Sequence, residues 1–273
     1  MRIALCNEVV RDLPFARQCE LAASLGYDGM EVAPFTLDPE SPHRLPASQR
    51  GAFRRAAEDA GLPIVSLHWL LVAPAGLSIC AADPALLART REVMRGLIGL
   101  AAELGATVMV HGSPQQRLVR DADDAARAEE TMGLAGEWAR AEGVTYCLEP
   151  LDAGQTSWAR TVAEAAEIVR RVNSPGLTTM LDVSAAGNGE SEPIAALLDR
   201  WLPTGVIGHI HFNDRNRRGP GQGEDRFAPT LAALRRHGYD GWCAVEPFDY
   251  RPDGPGAAAR AIGYLRGIEE TLA

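Results

Sequence analysis

The sequence predicts a single α/β domain folded as a (β/α)8 barrel, and three observations support this prediction. Short apolar runs alternate with amphipathic helical segments eight times along the 273 residues. Such alternation is typical of a parallel sheet covered by helices, and eight units can close on themselves. Six of the apolar runs end at a His, Asp or Glu, and the motif Gly-Tyr-Asp-Gly occurs before both the second and the eighth strand, at residues 26–29 and 238–241.

The elements follow one another as units of a strand and a helix. The first helix ends at Gly26, a favourable helix terminator, and the fourth begins with acidic residues that suit the helix dipole. The predicted strands cover residues 2–7, Gly29–Ala33, Pro63–His68, Thr107–His111 and Gly143–Glu149, and the last three end at Asp182, His211 and Glu246. The predicted helices cover Pro14–Leu25, Pro46–Ala60, Pro84–Leu104, Asp121–Ala141, Thr161–Val172, Glu192–Trp201, Ala228–His237 and Gly256–Leu272.

A doubly wound open sheet is the alternative fold for this pattern. No glycine-rich phosphate-binding fingerprint follows the first strand, where residues 7–10 read Asn-Glu-Val-Val, and this favours the barrel. The long connections Val72–Ala82 and Asn213–Gly223 both leave the carboxyl ends of strands, where barrel enzymes build their sites. At 46% hydrophobic residues, the whole chain 1–273 is expected to bury one core as one domain.

The composition excludes several classes of partner. The formal net charge is −9, from 27 basic and 36 acidic residues, and it opposes binding to nucleic acid. Five cysteines without CxxC spacing favour free thiols in a reducing compartment. No apolar run approaches the roughly 18 residues of a membrane span. We therefore expect a cytoplasmic protein that binds neither nucleic acid nor membranes.

Four of the predicted strand ends indicate a metal site, formed by Glu149, Asp182, His211 and Glu246. In a closed barrel three carboxylates would crowd together there, and like charges at short distance require a cation. Three oxygen ligands and one imidazole, without a thiolate, suit one divalent ion: Mn, Mg, Co or Zn. No organic cofactor is indicated.

These strand ends carry a resemblance to a known family. Glu149-Pro-Leu, Leu181-Asp182, the segment His209-Ile-His211-Phe-Asn-Asp214 with Arg217 and Gly219-Pro-Gly-Gln-Gly223, and Val245-Glu246-Pro are together similar to the xylose-isomerase-like barrels, nearest the ketose 3-epimerase and hydroxypyruvate isomerase-like branch. The resemblance covers the whole chain. It implies that the four strand-end residues hold one divalent ion, that Arg217 contacts a substrate oxygen, and that the protein forms a homo-oligomer.

A site of this kind predicts isomerisation or epimerisation of a small sugar, ketose or sugar acid. A metal stabilises the enediolate left when a proton next to a carbonyl is removed, and two carboxylates can remove and return that proton. Glu149 and Glu246 are the predicted catalytic pair. The predicted substrate contacts are Arg217, His68, His111, Gln155 and His209.

The chain also departs from the epimerase pattern around the substrate. Ala185 and Gln155 stand where the family carries a histidine and a glutamate, and Asp152 replaces an asparagine. A metal-dependent lyase or dehydratase, an endonuclease-like hydrolase with a second metal at His68 and His111, and a non-catalytic polyol-binding barrel are therefore kept as alternatives. Glu31 and Trp69 are expected to be packed residues at the rim of the site, and a place in the lining of the pocket is the alternative.

Overall fold

The computed structural model describes residues 1–272, and the core of these residues is a closed barrel of eight parallel strands. Each strand is hydrogen-bonded to the next in chain order, and β8 pairs with β1. The strands are β1 Arg2–Cys6, β2 Gly29–Val32, β3 Ile64–Leu67, β4 Val108–His111, β5 Thr145–Leu148, β6 Leu177–Asp182, β7 Ile207–Phe212 and β8 Trp242–Val245. The predicted (β/α)8 barrel is confirmed. Ala273, the last residue of the predicted domain, lies outside the described residues.

Nine α-helices accompany the strands in residues 1–272, one more than predicted. They are α1 Phe15–Leu25, α2 Ala47–Asp59, α3 Pro84–Leu104, α4 Ala122–Ala141, α5 Val162–Val172, α6 Val183–Gly189, α7 Ile194–Trp201, α8 Phe227–Arg236 and α9 Gly254–Leu272. The additional helix is α6. It begins directly after β6 because the carboxylate of Asp182 caps it, with Oδ1 accepting a hydrogen bond of 2.6 Å from the amide of Ala185.

Several predicted boundaries differ from the observed ones by one or two residues, and two of these differences have a clear local reason. The first strand ends at Cys6 rather than at residue 7, because Asn7–Val10 turn into a 3₁₀ helix. The helix predicted from Glu192 begins at Ile194, since Pro193 takes the N-cap position. The 3₁₀ turn matters for the site because it buries the side chain of Glu8, which is 2% exposed.

The apolar residues form two layers, one on each side of the strands. A small cluster of Val108, Val110, Cys147 and Met180 fills part of the barrel interior, and the larger core lies between the strands and the helices. All five cysteines are free thiols, as predicted, and all five are buried. None of the helices between residues 1 and 272 has the length and apolarity that a membrane crossing requires.

Main-chain register fixes the residues at the carboxyl ends of neighbouring strands. Asp182 at the end of β6 is paired with His211 on β7, and Cys6 at the end of β1 is paired with Glu31 on β2. In a strand, side chains alternate between the two faces, so these pairs are set by the backbone and not by flexible loops. The strand register therefore fixes the positions of the polar residues along the barrel axis at the carboxyl ends of the strands.

Candidate active site

The four predicted metal ligands converge at one point of the barrel. Glu149, Asp182, His211 and Glu246 each offer a ligand atom, and these atoms all lie within 4.8 Å of one another. Around Nδ1 of His211, carboxylate oxygens lie at 2.9 Å (Glu246), 3.6 Å (Glu149) and 3.8 Å (Asp182). All four residues are at most 5% exposed. We call them the quartet.

Electrostatics in the quartet favour a cation. Even with His211 protonated, three carboxylates outnumber one positive charge. Burial, and then the charges of Glu149 and Glu246, raise the pKa of Asp182 to about 7, so the site relieves its repulsion by retaining a proton. Burial would also raise the pKa of Glu246, but His211 and His68 lower it to about 2. A divalent ion would replace the proton on Asp182.

The imidazole of His211 is arranged as a metal ligand. Its Nε2 lies 2.7 Å from Oε1 of Glu31, while its buried Nδ1 makes no hydrogen bond of good geometry despite the surrounding oxygens. A ligand histidine commonly donates its second N–H to a carboxylate, which fixes the ring and directs the other nitrogen to the metal. The residues of the quartet therefore fit a divalent cation bound through Nδ1 and the carboxylate oxygens.

Glu31 is the centre of a second polar layer inside the barrel. It is fully buried, and its carboxylate lies 2.7 Å from Nε2 of His209 and 3.4 Å from Nδ1 of His68, and it also accepts a short hydrogen bond from the hydroxyl of Ser66. Burial alone would raise its pKa, but His211, His209 and His68 hold it well below the usual range. Glu31 is therefore an ionised residue of the site, not the packed rim residue that we expected.

His68 lies between two carboxylates. Its Nδ1 is 2.9 Å from Oε1 of Glu246, and its Nε2 is 2.9 Å from Oε2 of Glu8. Burial would lower the pKa of His68, but Glu8 and Glu31 raise it well above its usual value. His68 is thus an imidazolium that contacts Oε1 of Glu246, whereas His211 lies against Oε2, and His68 does not line the cavity described below.

His111 occupies a different environment. It is fully buried, its Nδ1 lies 2.8 Å from the hydroxyl of Tyr146, and burial together with the charge of Arg117 lowers its pKa to about 3. Arg117 is buried as well, and its Nη1 donates a 2.6 Å hydrogen bond to the carbonyl oxygen of Glu149. The three groupings of potential metal ligands found in residues 1–272 include His68 but not His111, so a second metal shared by these two histidines gains no support.

A cavity of about 330 Å³ opens onto the quartet. Glu149 and Glu246 lie in its wall, and the predicted substrate contacts Gln155 and Arg217 line it too. His68, His111 and His209 do not. The other lining residues are Trp69, Val72, Gly112, Ser113, Pro114, Gln115, Gln116, Leu151 and Phe248. A group bound here would contact both predicted catalytic glutamates.

One side of this cavity is a stack of planar groups. The ring of Phe248 lies 5.8 Å from that of Trp69 at an interplanar angle of 21°, and the guanidinium of Arg217 lies 4.7 Å from the Phe248 ring centre. The indole N–H of Trp69 donates a 3.1 Å hydrogen bond to Oε1 of Glu246. Trp69, expected to be a packed rim residue, therefore lines the cavity and contacts the quartet.

Comparison with known proteins identifies the family of this chain. The family model described as a xylose isomerase-like TIM barrel matches residues 19–268. The chain belongs to this family.

Relatives of this xylose isomerase-like barrel are epimerases and isomerases. D-psicose 3-epimerase of Agrobacterium fabrum is 27% identical over 244 residues, which are 86% of this chain and 79% of that protein. A putative hydroxypyruvate isomerase of Streptomyces coelicolor is 28% identical over 273 residues, covering 93% and 91% of the two chains. Both names fall in the predicted branch.

Solved structures place the fold in the same group. A crystal structure of D-psicose 3-epimerase determined in the presence of D-fructose superposes with a TM-score of 0.82, covers 98% of this chain and 99% of that one, and is 21% identical. At this identity the similarity establishes the fold of the xylose isomerase-like barrel and its eight strands.

Sequence reasoning did not assign a role to several residues of the site. Glu8 lies in a 3₁₀ turn that was predicted to be partly strand, and Arg117 lies in a connection with no periodicity. Glu31 carried the same signal as the quartet, an acidic residue near the end of a buried strand. Phe248 follows Glu246-Pro, and its place directly after the last strand end is the signal that could have found it.

Proposed function

We propose that this chain is a divalent-metal-dependent epimerase or isomerase that removes and returns the proton on a carbon next to the carbonyl of a small sugar or sugar acid. Its relatives belong to the sugar isomerase and epimerase class. The observation that carries the proposal is that Glu149 and Glu246, which directly follow β5 and β8, lie next to one imidazole and line one cavity. Two carboxylates on different sides of a substrate are what proton removal and return require.

The metal ligands in this proposal are Glu149, Asp182, His211 and Glu246. A divalent ion held there supplies Lewis-acid stabilisation of negative charge on the substrate oxygens. Mn²⁺, Mg²⁺, Co²⁺ and Zn²⁺ all suit three carboxylates and one imidazole. Glu31 keeps Nε2 of His211 protonated, and His68 keeps Glu246 ionised and oriented.

The two glutamates have unequal surroundings, which suggests unequal roles. Glu246 is approached by Nδ1 of His68 at 2.9 Å, Nδ1 of His211 at 2.9 Å and Nε1 of Trp69 at 3.1 Å. For Glu149, the nearest ring nitrogen is Nδ1 of His211 at 3.6 Å, beyond hydrogen-bond distance. The lone pairs of Glu149 are freer, so Glu149 is the better base, and Glu246 returns or holds the proton on the other face.

The remaining walls orient the substrate. Arg217 can donate to the oxygen that becomes negative, and its stacking on Phe248 limits its conformations. The faces of Phe248 and Trp69 give the C–H side of a sugar an apolar surface. Because Glu149 and Glu246 are nearly buried, water is largely excluded from the proton that they exchange.

Metal content tests the first half of the proposal. The purified chain is expected to hold about one divalent ion, and Asp182→Ala and His211→Ala are expected to lose it. His237→Ala is the matched control, because His237 lies on the surface against Asp199. Elemental analysis and a folded circular-dichroism spectrum are read together. Absence of metal from the wild type, with activity unaffected by chelators, would overturn the proposal.

Isotope exchange tests the second half. Ketoses, aldoses and keto acids are incubated with the Mn²⁺-loaded protein in deuterated water, and exchange of a carbon-bound proton is followed by NMR. At least one compound is expected to exchange, and removal of the metal with EDTA should abolish the exchange. A protein that binds a polyol without any exchange would be the non-catalytic barrel instead.

A further inference from the structure

A cavity of about 380 Å³ lies between helices α6, α7 and α8, apart from the quartet. Among the residues that the structure describes, none lines both this cavity and the one that Glu149 and Glu246 line. We call it the interhelical cavity, and its lining residues are Val183, Gly187, Glu190, Ser191, Glu192, Pro193, Ile194, Ala195, Arg215, Asp225, Arg226, Phe227, Pro229 and Thr230. Its volume falls in the range of roughly 300–1,000 Å³ at which proteins bind small organic molecules. The proposed reaction uses none of these residues.

Two helices begin at this cavity without a side-chain cap. The N-cap residues are Pro193 for α7 and Arg226 for α8, and neither side chain has an atom that can accept a hydrogen bond. In α7 the amides of Ile194 and Ala195, which both line the cavity, find no acceptor among residues 1–272. Free amides in a first helical turn carry partial positive charge and attract anions. The acceptor must therefore come from solvent or from a ligand.

The hydroxyl of Thr230 is a second, independent donor without a partner. Thr230 lines the cavity and is only 4% exposed, yet its hydroxyl makes no hydrogen bond with any residue between 1 and 272. A helical threonine commonly donates to the carbonyl four residues earlier, as Thr90 does to Leu86 at 2.9 Å. Thr230 makes no such bond to Arg226. A nearly buried hydroxyl without a partner is costly unless a bound molecule completes it.

The charges in the lining leave one cation free. Every carboxylate of the lining already has a partner: Arg200 for Glu192 at 2.7 Å, Arg215 for Asp225 at 2.7 Å, and the amide of Val162 for Glu190 at 2.8 Å. Arg226, in contrast, forms no ion pair with any other residue in the described part of the chain. The groups that still lack a partner in this cavity are therefore a guanidinium, a hydroxyl and main-chain amides, all of which can donate.

We propose that the interhelical cavity binds a small organic molecule that carries an oxyanion, either a phosphate or a carboxylate group. An oxyanion accepts hydrogen bonds from a guanidinium, a hydroxyl and the amides of a helix N-terminus at the same time. The organic part of the ligand packs against the apolar side chains of Val183, Ile194 and Phe227, which line the same space. The ligand thus supplies acceptors where the chain itself supplies none.

A ligand in this cavity also holds the connection after β7. Arg215 and Asp225 both lie in the wall, and the main-chain amide and Nε of Arg215 each donate to the Asp225 carboxylate at 2.7 Å. These bonds close the segment 215–225, which contains Arg217, and Arg226 follows it directly. Binding to the closed form of a loop reduces its opening. The ligand therefore stabilises the loop that carries Arg217 without entering the cavity at the quartet.

Calorimetry with the Mg²⁺-loaded protein tests the site. The probes are inorganic phosphate, glycerol 3-phosphate and glycerate, and glycerol is the neutral control with the same three-carbon skeleton. At least one oxyanion is expected to bind at least tenfold more tightly than glycerol, and the comparison of glycerol 3-phosphate with glycerate decides between a phosphate and a carboxylate. Amide hydrogen exchange is measured with and without the tightest probe, and the amides of residues 213–226 are expected to exchange more slowly when it is bound.

Variants then locate the oxyanion. Arg226→Gln removes the free cation and is expected to weaken binding at least tenfold, because hydrogen bonds to charged groups contribute roughly this much to affinity. Thr230→Val keeps the shape of the side chain without its hydroxyl and is expected to weaken binding at least threefold. Arg235→Gln is the matched control, since it removes the same charge from an exposed position at the other end of α8, and it should change the affinity less than twofold.

Each outcome decides the proposal. Weaker binding in Arg226→Gln and in Thr230→Val, together with slower amide exchange in residues 213–226, supports it. Oxyanions that bind no better than glycerol overturn it. Binding that survives both variants overturns it as well, because the oxyanion then binds elsewhere, for example at the ion of the quartet. Unchanged amide exchange in residues 213–226 also contradicts it, since Arg215 and Asp225 form part of the wall.

Discussion

Oε1 of Glu31 lies 2.7 Å from Nε2 of His211, inside the barrel and on the opposite edge of the imidazole from the other quartet members. This contact joins β2 to β7, two strands that are not neighbours in the barrel. Because Nε2 donates to Glu31, the lone pair for a cation is on Nδ1. The orientation of the His211 imidazole, the one imidazole among the proposed metal ligands, therefore depends on a residue that does not line the cavity.

Replacing Glu31 with Gln should weaken metal binding. The amide of the Glu31→Gln variant retains an acceptor for His211 but loses the charge that favours the N–H of three histidines, and outer carboxylates of this kind contribute about 10- to 100-fold to affinity. Mn²⁺ titration of the purified variant measures this loss. Glu58→Gln is the control, since Glu58 is an exposed residue that pairs with Arg54. An affinity within twofold of the wild type would show that Glu31 does not position His211.

Gly112 is expected to be essential for the position of Glu149. A methyl group built at Gly112 would overlap with Oε2 of Glu149, far inside van der Waals contact. Gly112→Ala should therefore displace this carboxylate and reduce turnover at least tenfold, with the fold retained by circular dichroism. Gly99→Ala is the matched control in α3, where nothing lies within 4 Å of the new methyl group. It should leave turnover unchanged and stabilise the helix by up to about 1 kcal/mol. Equal activity of the two variants would contradict the prediction.

Metal should stabilise the chain more at pH 8 than at pH 5. The pKa of Asp182 is raised to about 7 in the folded protein, whereas that of an unfolded aspartate is about 3.9, so the folded state binds more protons between these values. The metal-free protein therefore loses stability as pH rises from 4 to 7. The raised pKa values of His68 and His211 act in the same direction.

Thermal unfolding with Mn²⁺ and with EDTA measures this effect. The difference in Tm between the two conditions should grow from pH 5 to pH 8, because the ion replaces the proton on Asp182. A difference that is constant across this range, or that shrinks, would show that the quartet does not bind the metal through ionised carboxylates.

The Gln variants of Glu149 and Glu246 should differ in their proton exchange. With general-base contributions of roughly 10²- to 10⁴-fold, Glu149→Gln and Glu246→Gln should each reduce net turnover by at least that factor. For a two-base epimerisation, the variant that lacks the base on one face still exchanges the proton on the other. We expect such exchange without conversion in Glu246→Gln, since Glu149 is the freer carboxylate. Turnover within threefold of the wild type at saturating metal would leave both residues as ligands only.

The barrel and the quartet could be predicted from the sequence because both depend on local signals. Each strand is a short apolar run, and Asp182 and His211 stand at the ends of such runs, where parallel strands bring their carboxyl ends together. To predict that Asp182 and His211 lie close together, only the number and order of the strands had to be correct. The convergence of these four residues could be predicted without knowledge of side-chain conformations.

The second polar layer could not be predicted in this way. Glu31 contacts His68 and His211, which are 37 and 180 positions further along the chain, and only a closed barrel brings them together. His111 was grouped with His68 by its position at a strand end, but the fold directs it to Tyr146. Helix α6 was missed because Gly187 and Gly189 lower its intrinsic helix propensity, and its cap is also a predicted metal ligand.

The carbonyl oxygen of Arg217 accepts hydrogen bonds from the amides of Phe248 and Asp249, at 2.8 and 3.0 Å. The loop after β7 and the loop after β8 are therefore joined through one residue, whose φ of 67° is itself unusual for a side-chain-bearing residue. Grafting of a different 213–223 loop would relocate the guanidinium and the aromatic wall together, while Asp182 and His211 stay fixed by strand register. Substrate preference and metal retention can then diverge independently, both in evolution and in engineering of this barrel.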